Sequence, residues 1–150
     1  MSAEHSLERI ERVGLTRKAG AVVFRRTEHG VRLLVLRVQT SWDFPKGDVT
    51  PGADEFAAAQ RQVAHATGLA DLDFPFDDAH MDALPDAGGA ATRYFLAETD
   101  EGEVELAVAP QPSEARRDEW RWVSFDEAED LLPPRLAVVL DWALATIAAG

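Results

Sequence analysis

The sequence predicts one α/β (α+β) domain, in which helices cover a central mixed sheet. Two observations support this fold class. Short runs of β-branched and aromatic residues lie between turns rich in Gly, Pro and Asp, whereas other segments repeat apolar residues every three to four positions. The chain has 150 residues, the size of an ordinary domain. We therefore expect one domain over residues 17–150, after an N-terminal extension or short helix over residues 1–16.

The first elements of this domain are predicted to be a β-hairpin and a loop. Apolar runs at residues 19–26 and 31–39 lie on either side of a Glu-His-Gly turn and should pair with each other. Residues 41–52 contain two prolines and two glycines, which are unfavourable inside regular structure. We therefore expect them to form a loop.

A helix should follow over residues 53–69. Asp54 and Glu55 suit its first turn, because negative charge is favourable at a helix N-terminus, and Gly68 suits its end. The helix has one apolar stripe, formed by Phe56, Ala59, Val63 and either Ala66 or Thr67.

The next segments differ in how clearly they predict strands. Residues 72–84 are ambiguous, because Pro75 interrupts their apolar pattern. Residues 91–99 have the composition of a strand, and residues 104–109 resemble a shorter one. Another strand is expected near residues 120–125.

Two helices are predicted to close the domain. Ser124 and Glu127 have the spacing of a capping box for a helix that the prolines at 133 and 134 would end. Residues 135–149 then predict a terminal helix. Its expected buried face consists of Leu136, Val139, Leu140, Ala143 and Ile147.

Composition excludes several classes of function. The net charge of −12 argues against a nucleic-acid partner, since affinity for the phosphate backbone comes largely from Lys and Arg. The sequence has no cysteine for a disulfide or a thiolate site, no apolar run long enough to span a membrane, and no signal-peptide pattern at its N-terminus. We expect a cytoplasmic protein, a monomer or a homodimer, that does not bind membranes.

Residues 42–52 and the helix after them carry a family resemblance. They resemble a Nudix hydrolase, particularly the dinucleoside polyphosphate branch with its W-x-x-PKG-x-V-x-PGE pattern. The matching residues are Trp42, Pro45, Lys46, Gly47, Val49, Pro51 and Gly52. The resemblance implies an α/β/α sandwich and an enzyme that cleaves phosphoanhydrides with the help of Mg or Mn.

The chemistry of the family motif, G-x5-E-x7-R-E-U-x-E-E-x-G-U with U a bulky apolar residue, is nevertheless missing. Gly47 and Arg61 match it, as do the later apolar and glycine positions. The four glutamate positions are instead occupied by Ala53, Gln62, His65 and Ala66. Mg²⁺ is held mainly by carboxylate oxygens, whereas His favours zinc and related ions. We therefore expect a degenerate box that binds no metal and a chain that requires no cofactor.

Other acids are candidates for replacing the lost carboxylates. Asp48, Glu55 and Glu119 are the candidate catalytic residues. Asp48 is either a solvated loop residue or a residual ligand, and Glu55 is more readily explained by its place in the first turn of a helix. His65 is more typical of a helix surface than of a metal site.

Binding residues are predicted from charge and from the resemblance. Lys46 and Arg61 are candidates for contacting phosphate. The resemblance implies that Tyr94 stacks on a base, with Trp42 in the same cleft, although aromatic residues on strands are more often core. Tyr94 and Phe95 should point to opposite faces of their strand. Further cationic candidates are Arg37, Arg93, Arg116 and Arg117.

Three functional hypotheses remain open at this point. The favoured one is a pseudoenzyme that binds a nucleotide or another diphosphate compound, with weak or no hydrolysis, independently of magnesium. The second is an active Nudix hydrolase with relocated metal ligands, which would depend strictly on a divalent ion. The third is a protein-interaction module that kept only the fold and has no affinity for nucleotides.

Overall fold

A seven-stranded mixed sheet forms the centre of the computed structural model, which describes residues 17–86, 88–89, 91–106 and 117–150. The expected extension at residues 1–16 lies outside these ranges. The strands are β1 (Arg17–Thr27), β2 (Gly30–Val38), β3 (Ser41–Asp43), β4 (Lys46–Asp48), β5 (Met81–Asp82), β6 (Ala91–Glu98) and β7 (Arg117–Val123). The helices are α1 (Glu55–Thr67), α2 (Phe125–Leu131) and α3 (Ala137–Ala149), with a 3-10 turn at Pro134–Leu136 before α3.

The strands follow the order β3-β2-β1-β6-β5, with β4 paired to β1 and β7 paired to β2. β1 and β6 run parallel, and the other strand pairs are antiparallel. At its N-terminal end β1 therefore lies between β4 and β6, with Ala19 opposite both Gly47 and Arg93. This register brings the loop before α1 next to the start of β6.

Alternating residues of the central strands point into two separate cores. On one face, Ala21 and Val23 pack with Val63 of α1. On the other, Val22 and Phe24 pack with residues of α2 and α3. Both faces are buried because a helical layer covers each of them, and this confirms the predicted α/β/α sandwich. Among the helices that the structure describes, none is long and apolar enough to cross a membrane.

The predicted hairpin and the helix after it are confirmed. β1 and β2 pair across the short turn with Thr27 opposite Gly30. α1 begins after Asp54, whose carboxylate accepts a hydrogen bond from the N–H of Ala57 at 2.8 Å. It ends at Gly68, which has a φ of 71°, a left-handed conformation that glycine adopts without a Cβ penalty.

The closing helices also agree with their sequence signals. Ser124 and Glu127 form both hydrogen bonds of the capping box, which begins α2. The residues predicted to form the buried face of the terminal helix are all buried. The 3-10 turn that precedes α3 contains the first of them, Leu136.

Three segments differ from expectation. Residues 41–52 are not simply a loop, because β3 and β4 form there by pairing with longer strands on either side of Pro45. Residues 72–84 contain only the two-residue strand β5 and an isolated bridge from Asp73 to Glu98. The strand expected at residues 104–109 is absent from residues 104–106, and its remainder lies outside the described residues.

Candidate functional site

The candidate site lies where residues 44–52 meet α1; this segment contains β4 with Gly47, and we call it the loop before α1. Gly47 packs so closely on the helix that a Cβ at this position would lie 2.4 Å from Oε1 of Gln62. The side-chain N–H of Gln62 donates to the backbone carbonyl of Asp48 at 3.1 Å. The amide of Gln62 thus joins the helix directly to the loop.

The other positions of the glutamates in the family motif also lack a carboxylate. Ala66 is buried, with 1% of its surface exposed, whereas His65 is exposed on the other side of the same turn. Ala53 is partly buried against the core beneath the N-terminus of α1. These positions therefore supply one amide, one imidazole and two methyl groups, which do not fit a magnesium site.

Glu55 is bound by two arginines. Its carboxylate accepts a hydrogen bond from Arg17 and another, at 2.9 Å, from Nη1 of Arg93. Arg93 also makes bonds of 2.8 and 3.2 Å to Asp82. The hydrogen bond from Arg93, with its charge, outweighs burial and lowers the pKa of Asp82, and the pKa of Arg93 is raised by the same bond. Glu55 and Arg93 thus belong to an ion-pair chain.

The other two candidate acids lie in different settings. Asp48 is exposed in β4, and its backbone carbonyl accepts the hydrogen bond from Gln62 of α1. Glu119, in β7, lies opposite Arg37 and accepts hydrogen bonds from Arg121 at 2.9 Å and from Arg37 at 3.2 Å. The bond from Arg121 is the main reason that the pKa of Glu119 is lowered. Throughout the described ranges, no three His, Asp or Glu side chains converge to hold a metal ion.

Lys46 and Tyr94 are brought together by Asp43, a residue that the sequence patterns did not single out. One oxygen of Asp43, Oδ1, accepts from the hydroxyl of Tyr94 and from the N–H of Phe44, both at 2.7 Å. The other, Oδ2, contacts Nζ of Lys46 at 2.7 Å and Nη2 of Arg135 at 2.8 Å. We call this group of five residues the Asp43 cluster.

The predicted stacking role of Tyr94 needs correction. Its ring is fully buried, packs edge-on against Phe44 and has no face open to a base. Burial, together with the charge of Asp43, raises its pKa well above the ordinary value, so the hydroxyl stays protonated and donates to Asp43. Phe95 points to the opposite face, as expected, but it is buried as well. Neither aromatic side chain therefore lines an open cleft.

Trp42 and Arg61 differ in accessibility. Trp42 is 9% exposed and packs into the core beside α3, with the guanidinium of Arg121 4.9 Å from its ring centre. Arg61 is exposed on α1, and it has no hydrogen bond or ion pair with any residue in the described ranges. Among the further cations predicted, Arg116 and the side chain of Arg117 lie outside those ranges.

Comparison with known proteins agrees with this architecture. A family model described as the NUDIX domain matches residues 14–143. RNA pyrophosphohydrolase of Shigella boydii serotype 4 is 29% identical over 101 residues, which cover 58% of this chain and 57% of that protein. The asymmetrical bis(5'-nucleosyl)-tetraphosphatase of Caenorhabditis elegans is 26% identical over 121 residues, which cover 76% of this chain and 83% of that protein. The chain thus spans little more than half the length of the bacterial relative.

Solved structures share the fold. A binary complex of the C. elegans Ap4A hydrolase superposes with a TM-score of 0.76 at 23% identity, over 91% of this chain and 100% of the other. The NUDIX domain of Shewanella oneidensis NrtR, in complex with ADP ribose, superposes with a TM-score of 0.68 at 14% identity, over 98% and 99% of the two chains. Because the family model covers most of its length, the chain belongs to the Nudix family, and it is related to the dinucleoside polyphosphate hydrolases of that family.

Proposed function

We propose that this Nudix domain binds a nucleotide or another nucleoside-diphosphate-linked compound and hydrolyses it slowly or not at all. The observation that carries the proposal is the contact between Gln62 and the loop. At a glutamate position of the family motif, a neutral amide donates a hydrogen bond to the carbonyl of Asp48 and packs on Gly47. The amide can offer a cation between helix and loop only one neutral oxygen, Oε1, whereas a glutamate would offer two oxygens that share a negative charge.

Nearby acids support the same conclusion. Phosphoryl transfer needs positive charge that offsets the phosphate oxygens, and the family obtains it from divalent ions held by carboxylates. Glu55 is bound by Arg17 and Arg93, and Glu119 by Arg37 and Arg121. A metal would have to displace two guanidinium groups from either carboxylate, at the cost of charge-assisted hydrogen bonds.

A binding role is supported by the cations that remain at the site. Arg61 presents an exposed guanidinium on α1, next in sequence to Gln62, and a guanidinium can donate two parallel hydrogen bonds to a phosphate. Lys46 lies partly exposed at the start of β4. We assign the phosphate contacts to Arg61 and Lys46, and an edge contact to Trp42. The complex of the related NrtR domain with ADP ribose suggests which ligand class to test first.

Calorimetric titration of the purified chain tests the proposal directly. ADP ribose, ADP and diadenosine tetraphosphate would be titrated in the presence of EDTA and, separately, of magnesium. We expect one of these compounds to bind, with an affinity that magnesium does not increase. Arg61→Met should weaken binding about tenfold or more, because a hydrogen bond to a charged group contributes ~1.5–3 kcal/mol. Arg26→Met, which removes the same charge at the far end of β1, should leave the affinity unchanged.

Hydrolysis measurements compare the natural chain with a variant in which the four glutamates of the motif are restored. We expect the natural chain to turn over each compound far below about one per second with magnesium, manganese or zinc. The comparison variant carries Ala53→Glu, Gln62→Glu, His65→Glu and Ala66→Glu, and it should gain metal-dependent turnover. An ordinary enzymatic rate from the natural chain would show that the metal ligands have moved. Absence of binding to all three compounds would favour a protein-interaction module instead.

A further inference from the structure

We propose that the Asp43 cluster is an oxyanion-binding pocket that the chain fills with its own carboxylate. Four donors surround Asp43: the ammonium of Lys46, the guanidinium of Arg135, the hydroxyl of Tyr94 and the backbone N–H of Phe44. With the carboxylate removed, these donors would take a tetrahedral phosphate or sulfate group. The inference concerns the pocket itself and does not depend on which nucleotide the domain binds.

The geometry of the donors is that of a ligand site. Each carboxylate oxygen of Asp43 receives two donors, at 2.7 Å and 2.7 Å on Oδ1 and at 2.7 Å and 2.8 Å on Oδ2. The donors come from parts of the chain far apart in sequence, since Lys46 lies in β4, Tyr94 in β6 and Arg135 in the 3-10 turn. The pocket is therefore assembled by the tertiary fold and not by a local turn of the chain.

The charges in the pocket favour an anion that carries more negative charge than one carboxylate. Lys46 and Arg135 carry two positive charges, and the side chain of Asp43 supplies one negative charge. Tyr94 adds no negative charge, because burial and the neighbouring carboxylate raise its pKa. Burial by itself lowers the pKa of Arg135, but the charges and hydrogen bonds of Asp43 and Tyr94 together raise it, so the guanidinium stays protonated. A phosphate group, with a charge of about −1.5 to −2 at neutral pH, would be attracted to these two cations more strongly than a single carboxylate is.

Access to the pocket is from the side of the two cations. The Asp43 side chain is only 9% exposed and Tyr94 is fully buried, whereas the side chains of Lys46 and Arg135 are 19% and 20% exposed. An incoming anion would therefore meet the cations first and the hydroxyl last. In the natural chain it must displace a carboxylate that is tethered in place, and tethering gives that carboxylate a high effective concentration.

Replacing Asp43 by alanine tests this inference. Inorganic phosphate would be titrated into the natural chain and into Asp43→Ala, with heat of binding and thermal unfolding as readouts. We expect Asp43→Ala to bind phosphate at least about tenfold more tightly than the natural chain, since charge-assisted hydrogen bonds become available to the ligand. Its midpoint of thermal unfolding should rise with phosphate concentration, while that of the natural chain should hardly change.

Two further variants make the result specific. Asp82→Ala is the matched control, because it also removes an aspartate bound to an arginine, Arg93, which keeps Glu55 as a second partner. It should gain no phosphate affinity. Adding Lys46→Met to Asp43→Ala should abolish the gain. Equal gains in Asp43→Ala and Asp82→Ala would overturn the proposal, because they would reflect net charge alone.

A folding defect would not make the test inconclusive. Asp43→Asn keeps the size of the side chain, removes the negative charge that Lys46 and Arg135 share at Asp43, and should also be stabilised by phosphate. An Asp43→Ala chain that folds only when phosphate is present would support the proposal as well. If phosphate stabilises neither variant, the pocket does not bind oxyanions and the proposal is wrong. Nucleotide binding by the natural chain is measured separately, so either proposal can fail alone.

Discussion

At the scale of single residues, the clearest contact of the candidate site is made by Gln62. Its amide both packs on Gly47 and donates to the carbonyl of Asp48. The residues at the glutamate positions of the motif can be read from the sequence, since the motif has fixed spacing, and the loss of metal binding stays a prediction. The Asp43 cluster could not be predicted, because nothing in the sequence places Arg135 next to Asp43.

A stability measurement can test how closely Gly47 and Gln62 fit. In Gly47→Ala the new methyl group would lie within 2.8 Å of three side-chain atoms of Gln62. We expect a loss of about 1–3 kcal/mol in the free energy of unfolding, the usual cost of overpacking. Gly88→Ala is the control, since the nearest atom there is 3.5 Å away and φ is not positive.

Urea denaturation of a double variant completes this test. Gln62→Ala removes the side chain with which the new methyl group collides, so Gly47→Ala should cost much less in that background. If the two substitutions are instead additive, the helix and the loop are not in the close contact described here.

At the scale of elements, a helix or strand could be predicted from the sequence where the residues that stabilise it lie close together along the chain. α1 and α2 could be predicted because their caps, Asp54, Gly68 and Ser124, act on residues within four positions. β3 and β4 were missed because each is three residues long and exists through pairing with a distant strand. A strand pattern likewise does not tell which face a helix covers, so it could not decide between a core position for Tyr94 and the stacking position that the resemblance implies.

The capping box of α2 predicts a dependence of stability on pH. Glu127 accepts the N–H of Ser124, and this bond is the main reason that its pKa is lowered from the ordinary value of 4.5. The carboxylate therefore binds its proton less readily in the folded than in the unfolded chain. Its contribution should be present above about pH 4.5 and should be lost as the pH falls through the folded pKa.

Thermal unfolding of Glu127→Gln at several pH values checks this expectation. The variant should be less stable than the natural chain at neutral pH, and the difference should shrink towards zero in acid. Glu129→Gln, on the same helix but without a bond to Ser124, is the control and should show no such trend. A difference that stays constant with pH would mean that the charge of Glu127 has no role.

At the scale of the whole molecule, the excess of acids is the main feature outside the fold. The formal charge of −12 comes from 27 Asp and Glu against 15 Lys and Arg. Local ion pairs such as Arg26–Glu98 lie at the surface, where they contribute little to stability. The remaining negative charges repel one another at longer range and oppose the compact state.

Salt should therefore stabilise the protein. Raising the ionic strength from about 0.01 M to about 0.15 M shortens the Debye length from ~30 Å to ~8 Å and screens this repulsion. We expect the midpoint of thermal unfolding to rise by a few degrees in sodium chloride. Phosphate buffer must be avoided so that screening is not confused with binding. A fall in the midpoint would show that attractive ion pairs outweigh the repulsion.

The parallel pairing of β1 with β6 has a consequence for synthesis on the ribosome. Ala21 lies opposite Phe95, so the two strands that pair at the centre of the sheet are far apart in sequence. Most of the hairpin, α1 and the following segment lie between them along the chain. An isolated hairpin is only marginally stable in water, and the face of β1 that carries Val22 and Phe24 stays uncovered until α2 and α3 have emerged. Pairings between such distant residues slow folding, typically to milliseconds or seconds. The nascent chain thus stays exposed to aggregation until the two closing helices have been made.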